Sequence, residues 1–103
     1  MIPGLPDAAN RSLLSVLASE PGLRQVHVYG SRAKGTFRPS SDIDLCLDAP
    51  DLDFSAQTRL EDRLDDLMLP WKIDVLVRQR VDRPELLEHI ERIGIPLLPV
   101  AGS

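Results

Sequence analysis

Three aspartates and a Gly-Ser pair are the residues whose types and spacing could carry out chemistry in this sequence. Asp42 and Asp44 stand two positions apart in Ser41-Asp42-Ile43-Asp44, and Asp74 lies further along the chain. Because side chains alternate along a strand, Asp42 and Asp44 would share one face. Two carboxylates held close together repel each other unless a cation lies between them, and Mg²⁺ is usually held by a few carboxylates and substrate phosphates. The pair therefore indicates a metal site, with two solvated aspartates at a strand start as an equal alternative.

Asp74 interrupts an apolar run in which Ile73, Val75 and Val77 make one face of a predicted strand. A buried carboxylate is costly unless it is paired or binds metal. If this strand lies beside the one that carries Asp44, three carboxylates could hold two metal ions, which activate an attacking oxygen and stabilise a leaving group. The alternative is an aspartate at the edge of a sheet that faces water.

Gly30-Ser31 follows a β-rich run directly, and this position suits an anion site. Glycine allows a sharp turn and a close approach of the backbone to a ligand, and free N–H groups at the start of a helical turn attract phosphates. Ser31 adds a hydroxyl donor, and Arg32 and Lys34 add positive charge. By itself the pair is more often an ordinary turn, so the prediction depends on the aspartates.

The elements that must position these residues are a helix, two strands, a helix, a strand and a helix. Hydrophobic periodicity, turn residues and prolines predict these elements. The first half of the chain has a helix from about Asp7 to Ser19, a strand over Gln25–Tyr29, a helical turn and loop over Ser31–Ser41 and a strand over Ile43–Leu47. The second half has a helix from about Asp53 to Leu69, with Leu60, Leu64, Leu67 and Met68 on its apolar face, a strand over Lys72–Val77, a helix near Glu85–Arg92 and an apolar tail, Ile95–Val100, that is at most a short edge strand. This order predicts a small mixed β-sheet with helices packed on it, in the α/β or α+β class.

Composition limits the possible classes of protein. At 103 residues the chain is expected to be one domain, residues 1–103, and its formal net charge of -4 argues against stable nucleic-acid binding. Its one cysteine, Cys46, is expected to be buried and cannot form an internal disulfide. We find neither an apolar run that could span a bilayer nor a signal peptide, so we expect a cytoplasmic protein.

Gly30-Ser31-Arg32-Ala33-Lys34-Gly35, a spacer and Ser41-Asp42-Ile43-Asp44-Leu45 resemble the signature of the polymerase-β nucleotidyltransferase superfamily. The family pattern is Gly-Ser, a spacer of about ten residues, Asp-x-Asp and a later aspartate on a strand, the position of Asp74. The short length and the Ile-Gly-Ile-Pro-Leu stretch near the end resemble the minimal nucleotidyltransferase (MNT) group. Lys34 departs from the arginine of many members, which keeps the charge but not the planar fork.

The resemblance implies an enzyme that uses ATP and two Mg²⁺ ions. Asp42, Asp44 and Asp74 would be the catalytic and metal-binding residues, and Gly30, Ser31, Arg32 and Lys34 would bind the nucleotide. MNT proteins commonly act as antitoxins of small helical toxins of the HEPN class and can adenylylate them. The expected reaction is therefore transfer of AMP from ATP to a hydroxyl acceptor, a tyrosine of such a toxin.

Two other functions stay open on the sequence. The chain could be a non-catalytic binding module that neutralises its partner by contact, with the apolar tail Ile95–Val100 as a candidate contact surface. It could instead transfer nucleotides to a small molecule or to RNA, although such relatives generally carry an added helical domain for the acceptor. Phe37 and Trp71 could stack on a base or pack in the core.

Overall fold

A four-stranded mixed sheet with helices on both of its faces forms the fold of the computed structural model, which describes residues 1–99. Its elements are α1 (Asp7–Ala18), β1 (Gln25–Tyr29), α2 (Gly30–Lys34), β2 (Ile43–Asp48), α3 (Phe54–Asp65), β3 (Ile73–Val77), a 3₁₀ turn (Arg78–Arg80), α4 (Pro84–Ile93) and β4 (Ile95–Pro99). The strand order is β3-β2-β1-β4, with β1 antiparallel to β2 and β4 and with β2 parallel to β3. This confirms the predicted fold class and element order.

Local sequence explains where the two longer helices after β2 begin. Asp53 precedes α3, and its side chain accepts a hydrogen bond of 2.7 Å from the Ala56 amide, which satisfies one free N–H group of the first turn. Pro84 occupies the first turn of α4, where the missing N–H costs nothing. Both helices therefore start at residues that favour a helix start.

One face of the sheet carries the core. Alternate residues of β1 and β2 are fully buried there: Val26, Val28, Ile43, Leu45 and Leu47. They belong to one hydrophobic cluster with buried leucines of the helices, Leu13 and Leu17 of α1 and Leu60 and Leu64 of α3. The opposite face carries the intervening residues, and α4 covers it around His27 and Cys46. Cys46 is 3% exposed, which confirms that it is a buried side chain. On this same face, the end of β1 and the starts of β2 and β3 carry the residues of the candidate site.

Helix α3 ends four residues earlier than predicted. It stops at Asp65, and Met68 lies in the following turn with a φ of 56° and 85% exposure. The prediction that Met68 belongs to the apolar face of this helix is therefore wrong, because the left-handed backbone turns the chain out of the helix before β3. Leu67 does pack against the core, although it lies outside the helix.

The apolar tail is an edge strand over the residues that the structure describes. β4 pairs with β1, and the side chains of Ile95 and Leu97 pack against the core. Ile95 and Leu97 therefore contribute to intramolecular packing, and contact of the tail with a partner stays a prediction, while Val100 lies outside the described residues. Over residues 1–99, no helix combines the length and the apolar character that a membrane crossing requires.

Candidate active site

Three polar side chains form a row across the sheet on the face opposite the core. Tyr29 is the register partner of Asp44, and Asp44 is the register partner of Asp74 on the parallel strand β3. Residues directly opposite each other on neighbouring strands present their side chains side by side. The structure therefore brings Asp44 and Asp74 together, as the sequence predicted, at the edge where β1 ends and β2 and β3 begin.

The charges of this row act on one another. Partial burial raises the pKa of Asp44 above its ordinary value, and the charges of Asp74 and Asp42 and a hydrogen bond with Asp74 raise it further, while Lys72 lowers it. Burial and the charge of Asp44 also raise the pKa of Tyr29 to about 12. A carboxylate whose ionisation is opposed by a neighbouring carboxylate forms, together with it, a site that favours a cation.

Asp42 lies one residue before β2 and is exposed. Its charge reaches Asp44, but among residues 1–99 no three His, Cys, Asp or Glu side chains come close enough together to form a complete metal site. Asp74 is also not the buried carboxylate that the sequence suggested, because its side chain is 42% exposed. Asp44 and Asp74 thus form a partly exposed pair of carboxylates, which Asp42 does not complete to a group of three among the described residues.

Gly30 forms the close approach that the motif requires. It begins α2 with a φ of 71°, a left-handed conformation that favours glycine. A Cβ atom at this position would collide with Oδ2 of Asp44. Glycine is therefore needed both for the turn and for the space that the Asp44 carboxylate occupies. Ser31 follows in the same turn and is partly exposed.

Arg32 has a different role from the predicted one. Its side chain is 1% exposed, and its guanidinium donates to the carbonyls of Pro3 at 2.9 Å and Ser41 at 2.8 Å, with a longer bond of 3.4 Å to Pro39. Arg32 is therefore corrected from a nucleotide ligand to a structural residue, because its donors are already used on the backbone. These bonds tie the loop before Asp42 to the chain near the N-terminus.

Two aromatic side chains complete the surroundings of Arg32. Its guanidinium carbon lies 5.1 Å from the ring centre of Phe37 and 5.9 Å from that of Trp71, distances that allow cation–π attraction. The indole N–H of Trp71 donates to the carbonyl of Pro39 at 2.6 Å. Phe37 and Trp71 thus pack around Arg32, which is the packing alternative that the sequence left open.

Lys34 and Lys72 are the lysines near this part of the fold. Lys34 is exposed at the end of α2, and its contact with a nucleotide stays a prediction. Lys72 was not predicted, yet its Nζ lies 3.6 Å from Oδ1 of Asp74. Its position two residues before Asp74 in an extended segment was the signal, because such residues share one side of the chain.

The donor chemistry of the site fits magnesium. Asp44 and Asp74 offer hard oxygen ligands side by side, and burial together with the neighbouring charges of Asp74 and Asp42 raises the pKa of Asp44. Mg²⁺ typically keeps several waters and takes only one or two carboxylates together with substrate phosphates. A partly exposed pair of carboxylates is consistent with that preference.

Known proteins were compared with the sequence and with this geometry. The model of the family described as "Polymerase beta, Nucleotidyltransferase" matches residues 11–99. A protein of Haemophilus influenzae named "Probable protein adenylyltransferase MntA" is 40% identical over 52 residues. That segment covers 50% of this chain and 46% of the relative, so the likeness spans about half of each protein.

Solved structures share the fold at low sequence identity. A toxin–antitoxin complex crystallised with AMP-PNP matches with a TM-score of 0.72 and 23% identity, over 89% of this chain and 74% of that chain. A tri-AMPylated HEPN toxin of Shewanella oneidensis in complex with an MNT antitoxin matches with a TM-score of 0.66 and 20% identity, over 88% and 70%. A nucleotidyltransferase of Sulfolobus solfataricus gives 0.52 and 22%, over 85% and 74%. At these identities the matches establish the fold.

Proposed function

We propose that this chain, which belongs to the polymerase beta nucleotidyltransferase family, transfers AMP from ATP to a hydroxyl group of a protein partner and so acts as an antitoxin. The observation that carries the chemistry is the side-by-side placement of Asp44 and Asp74 next to Gly30. The likeness to a relative named as a protein adenylyltransferase supports AMP as the transferred group. The partner we expect is a small helical HEPN-type toxin, since toxin–antitoxin complexes share this fold.

In this proposal each carboxylate has its own task. Asp42 and Asp44 would hold the Mg²⁺ ion to which the triphosphate binds, and Asp74 would help to hold a second ion and accept the proton of the attacking hydroxyl. The acceptor oxygen forms a bond with the α-phosphorus, the bond to the β-phosphate breaks, and pyrophosphate leaves. When bound, magnesium supplies the positive charge that this transfer requires. We expect the reaction in the cytoplasm, where ATP is available.

The remaining site residues position the nucleotide. Gly30 and Ser31 lie next to Asp44 at the start of α2, where backbone N–H groups and the serine hydroxyl can bind the β- and γ-phosphates. Lys34 adds positive charge from the exposed end of the same turn. Positioning and charge stabilisation of this kind account for most of the catalysis in phosphoryl transfer.

Thermal unfolding with nucleotide and metal tests the site itself. We expect ATP to raise the melting temperature when Mg²⁺ is present and much less when EDTA replaces it. The double variant Asp42→Asn, Asp44→Asn should lose this effect, whereas the control variant Asp51→Asn, Asp82→Asn, at exposed positions elsewhere, should keep it. Equal stabilisation by ATP with and without metal would contradict the proposal.

Co-expression with the product of the neighbouring reading frame, which we expect to be a small helical toxin, tests the antitoxin function. We expect a complex in which ATP and Mg²⁺ add the mass of an adenylyl group to a tyrosine of the toxin. The Asp42→Asn, Asp44→Asn double variant should bind the toxin and add no mass. If this variant protects cells as well as the parent does, neutralisation occurs by contact, and the binding-module function is the better account.

A further inference from the structure

The free edge of β3 borders a groove that the proposed transfer does not use. β3 is hydrogen-bonded only to β2 in the part of the chain described, so the backbone groups of its other side are unpaired. The groove has a volume of about 290 Å³ and lies between this strand and one side of α3. Unpaired strand edges readily accept an added strand.

The lining of this groove is apolar at its floor and acidic at its wall. Ile73 and Val75 of β3 form the floor, and Glu61, Asp62 and Asp65 of α3 lie along the wall. Within residues 1–99, none of these three carboxylates forms an ion pair with a Lys, Arg or His side chain. Lysine and arginine fit such a lining, because their aliphatic stems cover apolar surface while their charged ends reach carboxylates.

We propose that this groove binds an extended, basic segment of the protein that accepts the nucleotidyl group. The inference rests on the proposed function, since it identifies where the acceptor protein docks. A second copy of this chain is a poor occupant, because two acidic walls would face each other and repel. A basic segment compensates the acidic wall and pairs with the free strand edge at the same time.

Because side chains alternate between the two faces of a strand, a segment docked on β3 would also place a side chain near the carboxylates of the candidate active site. Ile73 and Val75 point toward the side of α3, whereas Asp74 points to the opposite face beside Asp44. In an added strand the basic residues would therefore point toward α3, and the residue between them would lie beside Asp74. The side chain of Asp74 is 42% exposed and can be approached from this edge. The geometry favours an acceptor hydroxyl flanked on both sides by Lys or Arg.

Peptide binding to the whole chain, without nucleotide or metal, tests the inference independently of transfer. The probe is a labelled Val-Lys-Tyr-Lys-Val peptide, with Val-Glu-Tyr-Glu-Val as its charge control. Two further peptides carry N-methyl groups on alternate backbone nitrogens, one version for each alternation. Both keep the charge, but only the version whose methyl groups face β3 blocks strand pairing. We expect the unmodified basic peptide and the version methylated away from β3 to bind and to shift the backbone amide NMR signals of β3, whereas the acidic peptide and the other N-methylated version should not.

A variant with neutral groove walls provides the decisive comparison. Glu61→Gln, Asp62→Asn and Asp65→Asn together should weaken binding of the basic peptide about tenfold at low salt, because both lysines of the peptide lose their carboxylate partners. All three positions are on the helix surface, so the fold should be retained, as circular dichroism would verify. Unchanged affinity in this variant would overturn the inference, and so would equal binding of the two N-methylated versions or NMR shifts confined to other strands.

The matched control removes the same number of negative charges elsewhere. Asp51→Asn, Asp82→Asn and Glu88→Gln are at exposed positions outside the groove and should leave peptide affinity within about twofold. Equal losses in the control would mean that net charge attracts the peptide, which contradicts a docking groove. Adding ATP and Mg²⁺ separates the two proposals. A peptide that binds but is never adenylylated counts against the transfer reaction. If the variant with neutral groove walls adenylylates a toxin at the parent rate, that result counts against the groove.

Discussion

Arg32 and the Asp44–Asp74 pair are charged groups near the same end of the sheet, but their surroundings differ completely. Arg32 is 1% exposed and donates to three backbone carbonyls, with aromatic rings nearby. Asp44 and Asp74 face each other's negative charge. The nearest compensating cation recorded for them is Lys72, whose side chain is 72% exposed.

This difference separates a structural charge from a functional one. A buried charge that is fully hydrogen-bonded needs nothing more from solvent or ligand. Like charges held side by side cost stability unless a ligand compensates them, and such arrangements concentrate at functional sites. Substitutions in the two regions should therefore have opposite consequences for stability and activity.

The largest expected effect is the loss of transfer on substitution of Asp74. Asp74→Asn is nearly isosteric and removes the repulsion with Asp44, so the melting temperature should be unchanged or higher. Transfer of AMP, measured by mass spectrometry of the toxin, should fall about 10²–10⁴-fold, the range for loss of a general base. Asp48→Asn, on the same strand as Asp44 but at its far end, is the control with near-normal transfer. Normal transfer by Asp74→Asn would make this aspartate a structural residue.

Substitution of Arg32 should show the reverse behaviour. Arg32→Met leaves three backbone carbonyls without their donor, and we expect it to lower the free energy of unfolding by roughly 3 kcal/mol. Arg32→Lys keeps a charge but loses the planar fork, so it should recover only part of this stability. Urea unfolding measures both changes. If Arg32→Met is as stable as the parent but binds ATP poorly, the nucleotide contact predicted from the sequence was right after all.

The fold and the Asp44–Asp74 contact were predictable because both depend on regular periodicity. Asp74 interrupts an apolar strand, and the parallel pairing of β2 with β3 places it opposite Asp44. The roles of Arg32, Phe37 and Trp71 were not predictable, because their contacts with one another and with Pro3 join parts of the chain far apart in sequence. A charged residue beside Gly-Ser is read as a phosphate ligand unless such long-range contacts are known.

The end of α3 shows a second limit of sequence patterns. Leu67 and Met68 continue the helical spacing of Leu60 and Leu64, but the helix stops at Asp65. Met68 adopts a left-handed backbone, which a periodic pattern does not indicate for a residue other than glycine. Leu67 is partly buried without helical structure, whereas Met68 is 85% exposed, so the pattern predicted the packing of only one of the two residues and the secondary structure of neither.

A smaller effect is expected on the pH dependence of stability. The folded-state pKa of Asp44 is raised, so its ionised form opposes folding above that pKa, and the penalty disappears below the ordinary value of the unfolded chain. Without metal at pH 7, Asp44→Asn should therefore raise the melting temperature by a few degrees, and this gain should shrink as the pH falls toward about 4. Thermal unfolding of parent and variant across this range measures it. A constant gain at every pH would show that repulsion is not its source.

The smallest expected effect concerns Lys72, the exposed cation beside the carboxylate pair. Its Nζ lies 3.6 Å from Asp74, and both side chains are substantially exposed, so Lys72→Met should change the stability by well under 1 kcal/mol. The positive charge of Lys72 lowers the pKa of Asp44, and its removal should therefore raise that pKa, which NMR titration of the Asp44 carboxyl carbon can follow. Lys34→Met, at an exposed position on α2, is the matched control and should move the pKa less. If Lys72→Met leaves the pKa of Asp44 unchanged, Lys72 does not compensate the charge of the carboxylate pair. The pair would then differ still more from Arg32, whose charged group is hydrogen-bonded to backbone carbonyls.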